Sequence, residues 1–414
     1  MAKSLYSPIP YFRPVERLKA VILAAGEGIR LRPLTLYKPK VMIKVANRPI
    51  LEYVVRALAQ NHVRDIIMIV GYRRERIMTY FEDGQKLGVN ISYEVQDKQL
   101  GTAHALSLAE GKTGERFLVL PGDNIADPSM VKDILASDEP YSIAVTESQL
   151  PSKYGVVLLK GRQVTGVVEK PESNLGNLIS TGLFHMSSRV FSHIRSCASA
   201  GHHDITAVFQ SILASGERIA AVKTAARWSD VVYPWDLLDL NARVLTEGAG
   251  AVAGTIESGV HIRGNVQVGE GSVIRSGTYI EGPVRIGRGC DIGPNVCLLP
   301  SVSIGDNVNI QSSTEIRNSL VMNDVTIGPG ALVSHSVIGD GSRLGAHFVA
   351  GAEKAQVILE REIHVVPALG VILGEDTVVG NCVTVEPGVF IGSSCRIGSL
   401  RNIPKNVPDN SSVV

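Results

Sequence analysis

The chain is poor in the features that mark several large classes of protein. It has five cysteines in 414 residues, Cys197, Cys290, Cys297, Cys382 and Cys395. An odd count without paired metal-ligand spacing argues for reduced thiols and against a disulfide framework or a zinc site. A formal net charge of +1 gives no sign of a nucleic-acid or acidic-membrane partner. No apolar run approaches the ~18 residues of a membrane-spanning helix. The opening MAKSLYSPIPYFRPVERL lacks the apolar core of a secretory signal, so a cytoplasmic setting is expected and residues 1–17 read as an N-terminal extension. Two common phosphate loops are also missing. No GKS or GKT follows the first glycines, and Leu31 stands where a dinucleotide fingerprint needs its third glycine.

What the chain does have is LAAGEGIRLRPLTLYKPK, Leu23 to Lys40, directly after the apolar AVIL. Gly26 and Gly28 let backbone N–H groups approach an anion closely. Arg30 and Lys40 bring positive charge to the same turn, and Pro33 and Pro39 stiffen it. A strand, glycines and a cation alone occur in many α/β proteins with no such site. From Leu18 to about Leu245, short apolar runs alternate with helical patterns, which predicts a Rossmann-like, doubly wound, mainly parallel sheet over residues 18–248. Ligands of such sheets lie beyond the carboxyl ends of the strands, where this loop falls.

Near residue 249 the small-residue run GAGAVAGT breaks the pattern and the period becomes six. Ile262, Val268, Ile274, Ile280, Ile286, Ile292, Leu298, Ile304, Ile310 and Ile316 follow one another without a gap. Such hexapeptides build a parallel β-helix with three per triangular coil. The spacing slips at Val321 and at Ile338, and is interrupted near 350–367 before resuming at Leu373. The interrupting AGAEKAQVILEREIHVVP is expected to project as a loop. The β-helix is expected over 249–403, with 404–414 as a tail.

The full pattern LAAGxGxRLxPLTxxxPK resembles the signature of the sugar-1-phosphate nucleotidylyltransferases. The whole chain is similar to the bifunctional N-acetylglucosamine-1-phosphate uridylyltransferase/glucosamine-1-phosphate acetyltransferases and to the long-form glucose-1-phosphate thymidylyltransferases. The resemblance implies a left-handed β-helix and assembly as a homotrimer or higher oligomer. It also implies a Mg²⁺-dependent reaction between a nucleoside triphosphate and a sugar-1-phosphate, with Arg30, Lys40 and Asp123 as catalytic residues. Leu23, Ala24, Ala25, Gly26, Gly28 and Gly122 would line the nucleotide.

Gln96 opens QDKQLGTAHA, which resembles a base-reading loop. The resemblance assigns Gln96, Gly101 and Thr102 to the base, and an amide can donate and accept at once. That favours UTP or dTTP over GTP and leaves uracil against thymine open. Thr102 also fits a plain helix N-cap. Asp123 in LPGDN and Asp230 in RWSDVV would hold Mg²⁺, although Gly-Asp-Asn alone fits a turn equally well. Tyr154 and Gly155 of KYGVV, Glu169 and Lys170 of VVEKP, and Thr181 of ISTGLF would take the sugar phosphate, though without this context Glu169 and Lys170 read as a solvated pair before a proline turn. Ser180 stands where the N-acetylglucosamine enzyme has asparagine, which leaves the sugar open.

In the bifunctional relatives the β-helix carries a histidine base and a tyrosine for acetyl transfer. Pro329 and Leu332 stand at those positions here, GAHF (Gly345 to Phe348) replaces a GAGT-like corner, and Ala352 replaces an asparagine. His335 and His347 remain nearby and read as core or corner residues, so acetyl transfer is expected to be absent or weak. A non-catalytic regulatory homologue would have lost Arg30, Lys40, Asp123 or Asp230. All four are present.

Overall fold

A computed structural model describes residues 18–226 and 228–414; the N-terminal extension lies outside the described residues. The apolar runs of the first half form a nine-stranded sheet. Its first four members in space, Asn90–Val95, Asp65–Val70, Lys19–Ala24 and Arg116–Pro121, are all parallel. Alternate residues of these strands enter two separate cores, Val21 and Ile67 on one face and Ala20, Ile22 and Met68 on the other. Burial on both faces explains why AVIL and DIIMIV read as unbroken apolar runs. Beyond Arg116–Pro121 the sheet becomes mixed. Leu178–Ser187 runs antiparallel to both neighbours, and the edge is a hairpin of Gly155–Lys160 and Gln163–Glu169.

The second half is a parallel β-helix of three sheets with eight, nine and eight strands. Ile262 pairs with Ile280, Ile280 with Leu298, and Leu298 with Ile316, so three hexapeptides complete each turn. The turns shorten by one residue where Ile304 meets Val321 and Val321 meets Ile338, at the two slips in the repeat. The stacked aliphatics form one continuous, almost dry core. The coil does not end at residue 403. Val407 bridges Ile391 and Ser412–Val413 pairs with Arg396–Ile397, so most of the expected tail is wound into the last turn.

The interruption at 350–367 is more ordered than its sequence implied. Glu353–Leu359 and Glu362–Leu369 form an antiparallel hairpin, not an irregular loop. Its period of two is masked because the outward positions mix Gln356 with the exposed Ile358, while Ala355, Val357, Val366 and Leu369 are buried. Those inward residues share a core with Leu31 and Leu34 of the glycine-rich loop, with Val231, and with Leu237 and Leu240 of the helix Asp236–Leu245. The two halves therefore meet on the loop itself. Buried Asn241 fastens the same junction, accepting from the Ala46 amide (2.9 Å) and donating to the Ser301 carbonyl (3.1 Å).

Candidate active site

The carboxyl ends of three of the parallel strands, Lys19–Ala24, Asn90–Val95 and Arg116–Pro121, deliver the glycine-rich loop, Gln96 and Asp123 to one edge of the sheet. Three adjoining cavities open there, of about 340, 430 and 240 Å³. The first is lined by Leu23, Ala24, Ala25, Gly26, Gly28, Gln96, Gly101 and Thr102. The second holds Arg30, Lys153 and Lys170, and the third holds Tyr154, Gly155, Glu169, Ser180 and Thr181. Asp123 lines all three.

Lys40 sits at this junction, its Nζ 2.7 Å from Asp123 Oδ2 and 2.8 Å from Asp230 Oδ1. A two-stranded ribbon brings the distant carboxylate in, because Trp228–Asp230 pairs antiparallel with Asn124–Ala126 and sets Asp230 opposite Asn124. Burial disfavours the charge on Lys40, but the attraction of Asp123 and Asp230 outweighs it and holds the ammonium well above the usual lysine range. Asp230 moves the other way from a typical paired carboxylate. Burial first, and then the neighbouring Asp123, raise it above the ordinary range despite Lys40. Gly28 (φ 80°) permits the arrangement, since a Cβ there would lie 2.5 Å from Lys40 Cβ.

The base-reading candidates also meet. Gln96 is buried and its Nε2 lies 2.8 Å from His104 Nδ1 and 3.2 Å from the Gly101 carbonyl. Gly101 (φ 149°) is required, because a Cβ would sit 2.5 Å from the His203 carbonyl oxygen. Thr102 is not an N-cap. It is the first residue of the helix Thr102–Ser107, capped by Gly101, and its hydroxyl accepts from the Ile205 amide (3.0 Å). Thr181 is buried with its hydroxyl donating to the Ala144 carbonyl (3.0 Å), so its side chain is already engaged. Gly122 does not line the cavities and its N–H is bound to the Leu23 carbonyl (2.8 Å). Arg30 faces the second cavity and pairs with Glu360 of the hairpin (Nε to Oε2, 2.8 Å).

Sequence reasoning missed Gln99, Asp204, Lys153 and Glu360, all of which line these cavities. Gln99 donates to the Ala25 carbonyl (2.7 Å), and it lay within the QDKQLGTAHA stretch already singled out. Lys153 directly precedes the Tyr154–Gly155 pair, and its Nζ sits over the Tyr233 ring at 4.5 Å.

Residues 19–247 match the family described as nucleotidyl transferase. The chain belongs to the nucleotidyl transferase family. Residues 280–411 match a second description, GMPPB C-terminal domain. Among curated relatives, the "Bifunctional protein GlmU" of Methanococcus maripaludis is 34% identical over 407 residues, 96% of this chain and 97% of that protein. A protein of Oryza sativa named as a mannose-1-phosphate guanylyltransferase is 32% identical, covering 81% of this chain and 91% of its own. A crystal structure from Bacillus anthracis, described as a glucose-1-phosphate thymidylyltransferase in complex with a sucrose, is 29% identical with a TM-score of 0.51. It covers 55% of this chain and 94% of its own. This nucleotidyl transferase thus has relatives named for sugar-phosphate nucleotidyl transfer, and its family acts on nucleoside triphosphates and sugar-1-phosphates. No described helix is long and apolar enough to cross a membrane.

Proposed function

We propose that the chain transfers a pyrimidine nucleotidyl group from UTP or dTTP to a hexose-1-phosphate, N-acetylglucosamine-1-phosphate or glucose-1-phosphate, releasing pyrophosphate. The observation that carries this reading is Asp123, shared by three cavities and bound with Asp230 to one buried cation. The first cavity suits base and ribose, the second the β- and γ-phosphates, and the third a sugar. The α-phosphorus would then lie where they join.

The two carboxylates already converge on a single positive charge, so the pair suits a hard divalent cation. Asp123 and Asp230 would hold such an ion as Mg²⁺, and both are oxygen donors of the kind it takes. When bound by Asp123 and Asp230, Mg²⁺ would supply charge neutralisation at the phosphate oxygens. The protein's own part is to hold two anions in line. Lys40, Lys153 and Lys170 offset their charge, and no nucleophilic side chain is needed, because the sugar phosphate oxygen attacks the α-phosphorus as pyrophosphate departs. Gln96 supports a pyrimidine through an amide held in one orientation by Gly101 and His104.

Acetyl transfer is a weaker second reading, motivated by the relatives named bifunctional. His335 and His347 both adopt left-handed backbone at coil corners (φ 45° and 56°), and neither Pro329 nor Leu332 can take a proton. The β-helix is assigned instead to assembly, as a homotrimer or higher oligomer. The test is pyrophosphate release from four nucleoside triphosphates against glucose-, N-acetylglucosamine-, galactose- and mannose-1-phosphate. Preference for UTP or dTTP is expected, and preference for GTP with mannose-1-phosphate would overturn the assignment of Gln96.

A further inference from the structure

Among the described residues, the hairpin Glu353–Leu369 is the one part of the β-helix half that lines the three cavities, through Glu360. Its inward face is fixed, with Ala355, Val357, Val366 and Leu369 buried in the core that also holds Leu31 and Leu34 of the glycine-rich loop. Its tip is equally constrained. Glu360 and Arg361 form a two-residue turn with both residues left-handed (φ 53° and 68°), the backbone that matches the natural twist of a hairpin. The tip thus stands in a set position relative to Arg30, one residue before buried Leu31.

We propose that Glu360 is a positioning residue for Arg30, so that the β-helix half completes the triphosphate pocket. This rests on the nucleotidyl-transfer reading above. Three observations carry it. Among the described residues, the guanidinium is bound to Glu360 through Nε alone, which leaves the Nη1 and Nη2 fork for phosphate oxygens. Both side chains line the same cavity. The pair is also about half exposed on each side, 41% and 51%, so it contributes little to stability, and its effect falls on where the arginine points. A free arginine must be immobilised when phosphate binds. One already held at Nε pays less of that cost, and the gain appears in triphosphate affinity.

The test compares full-length wild type, Glu360→Gln and Glu362→Gln by calorimetric Kd for UTP and dTTP, by KM for both substrates, and by Tm. Glu360→Gln should weaken triphosphate binding by roughly 3- to 10-fold, with the sugar-phosphate KM and Tm unchanged. Glu362→Gln, one position beyond the turn, should match wild type. In an Arg30→Lys background the Glu360→Gln effect should disappear. An unchanged Kd in Glu360→Gln would overturn the proposal. A tighter Kd would overturn it too, since Glu360 would then be competing with phosphate. Absence of pyrophosphate release by wild type would sink the nucleotidyl-transfer reading, while the Kd comparison would still decide the role of Glu360.

Discussion

Lys38 and Lys40 lie two residues apart on one stiff loop, and each is buried between two carboxylates. Lys40 is held by Asp123 and Asp230 of the catalytic half. Lys38 is held by Asp340 and Glu375 of the β-helix, with the Glu375 contact (2.8 Å) an ion pair outside hydrogen-bond alignment. The chemistry is the same and the surroundings differ. Asp123 is 39% exposed and opens onto three cavities, whereas Glu375 is 9% exposed and lines none of them. A buried lysine between carboxylates is thus no mark of catalysis by itself; what separates the two is access to the cavities, which the proposed function assigns to substrate. The loop is clamped from behind by Lys38, by a Ser393 hydroxyl bond to the Pro33 carbonyl (3.3 Å) and by Tyr37 against Ser394 (3.1 Å). Its front is thereby left free to work.

If this division is right, the two lysines fail differently. Lys38→Met strands the buried Glu375 and the half-buried Asp340 and should destabilise the protein by about 3 kcal/mol, read as a fall in denaturant midpoint. Protein that remains folded should keep most of its turnover. Lys40→Met should lower kcat by on the order of 10²-fold or more with a much smaller change in midpoint. Equal stability losses in the two variants would dissolve the distinction.

The clusters should also titrate in opposite senses. Asp340 is pushed up by burial, but Lys38 more than compensates and holds it below the usual carboxylate range. A depressed carboxylate contributes stability above its unfolded pKa that is lost only as pH falls through the lower folded value. Asp230 is raised in the metal-free site, so it takes up its proton early as pH falls, and on the proposed reading Mg²⁺ must then compete with that proton for the carboxylate. Near and just above pH ~4 the protein should therefore remain folded and be inactive. Circular dichroism and kcat/KM measured across that range check this, and coincident loss of both would break the contrast.

The legible parts of the molecule are those governed by local periodicity. The buried strands around AVIL and the six-residue stack from Ile262 declared themselves because each residue's burial follows from its neighbours in sequence. The mixed edge of the sheet did not, since the direction of Leu178–Ser187 is set by its pairing with Arg116–Pro121 and Tyr141–Glu147, which are distant in sequence. Within the site, Gly28 and Lys40 were legible through one contiguous loop. Asp230 came only with the family resemblance, because the ribbon that sets it beside Asp123 is a tertiary pairing. Glu360 had no signal, as it reaches Arg30 from the other half of the chain across a hairpin whose alternation was hidden. Gln99 lies in the same stretch as Gln96, but its bond to the Ala25 carbonyl is a tertiary contact with no local signal.

The most direct measurement is pyrophosphate release by wild type and Asp123→Asn as Mg²⁺ is varied, with UTP or dTTP and the preferred sugar-1-phosphate. Saturable dependence on Mg²⁺ in wild type is expected, with Asp123→Asn slower by on the order of 10²-fold at an unchanged melting temperature. Release that ignores Mg²⁺, or that survives Asp123→Asn at near wild-type rate, would contradict a site centred on Asp123, Lys40 and Asp230.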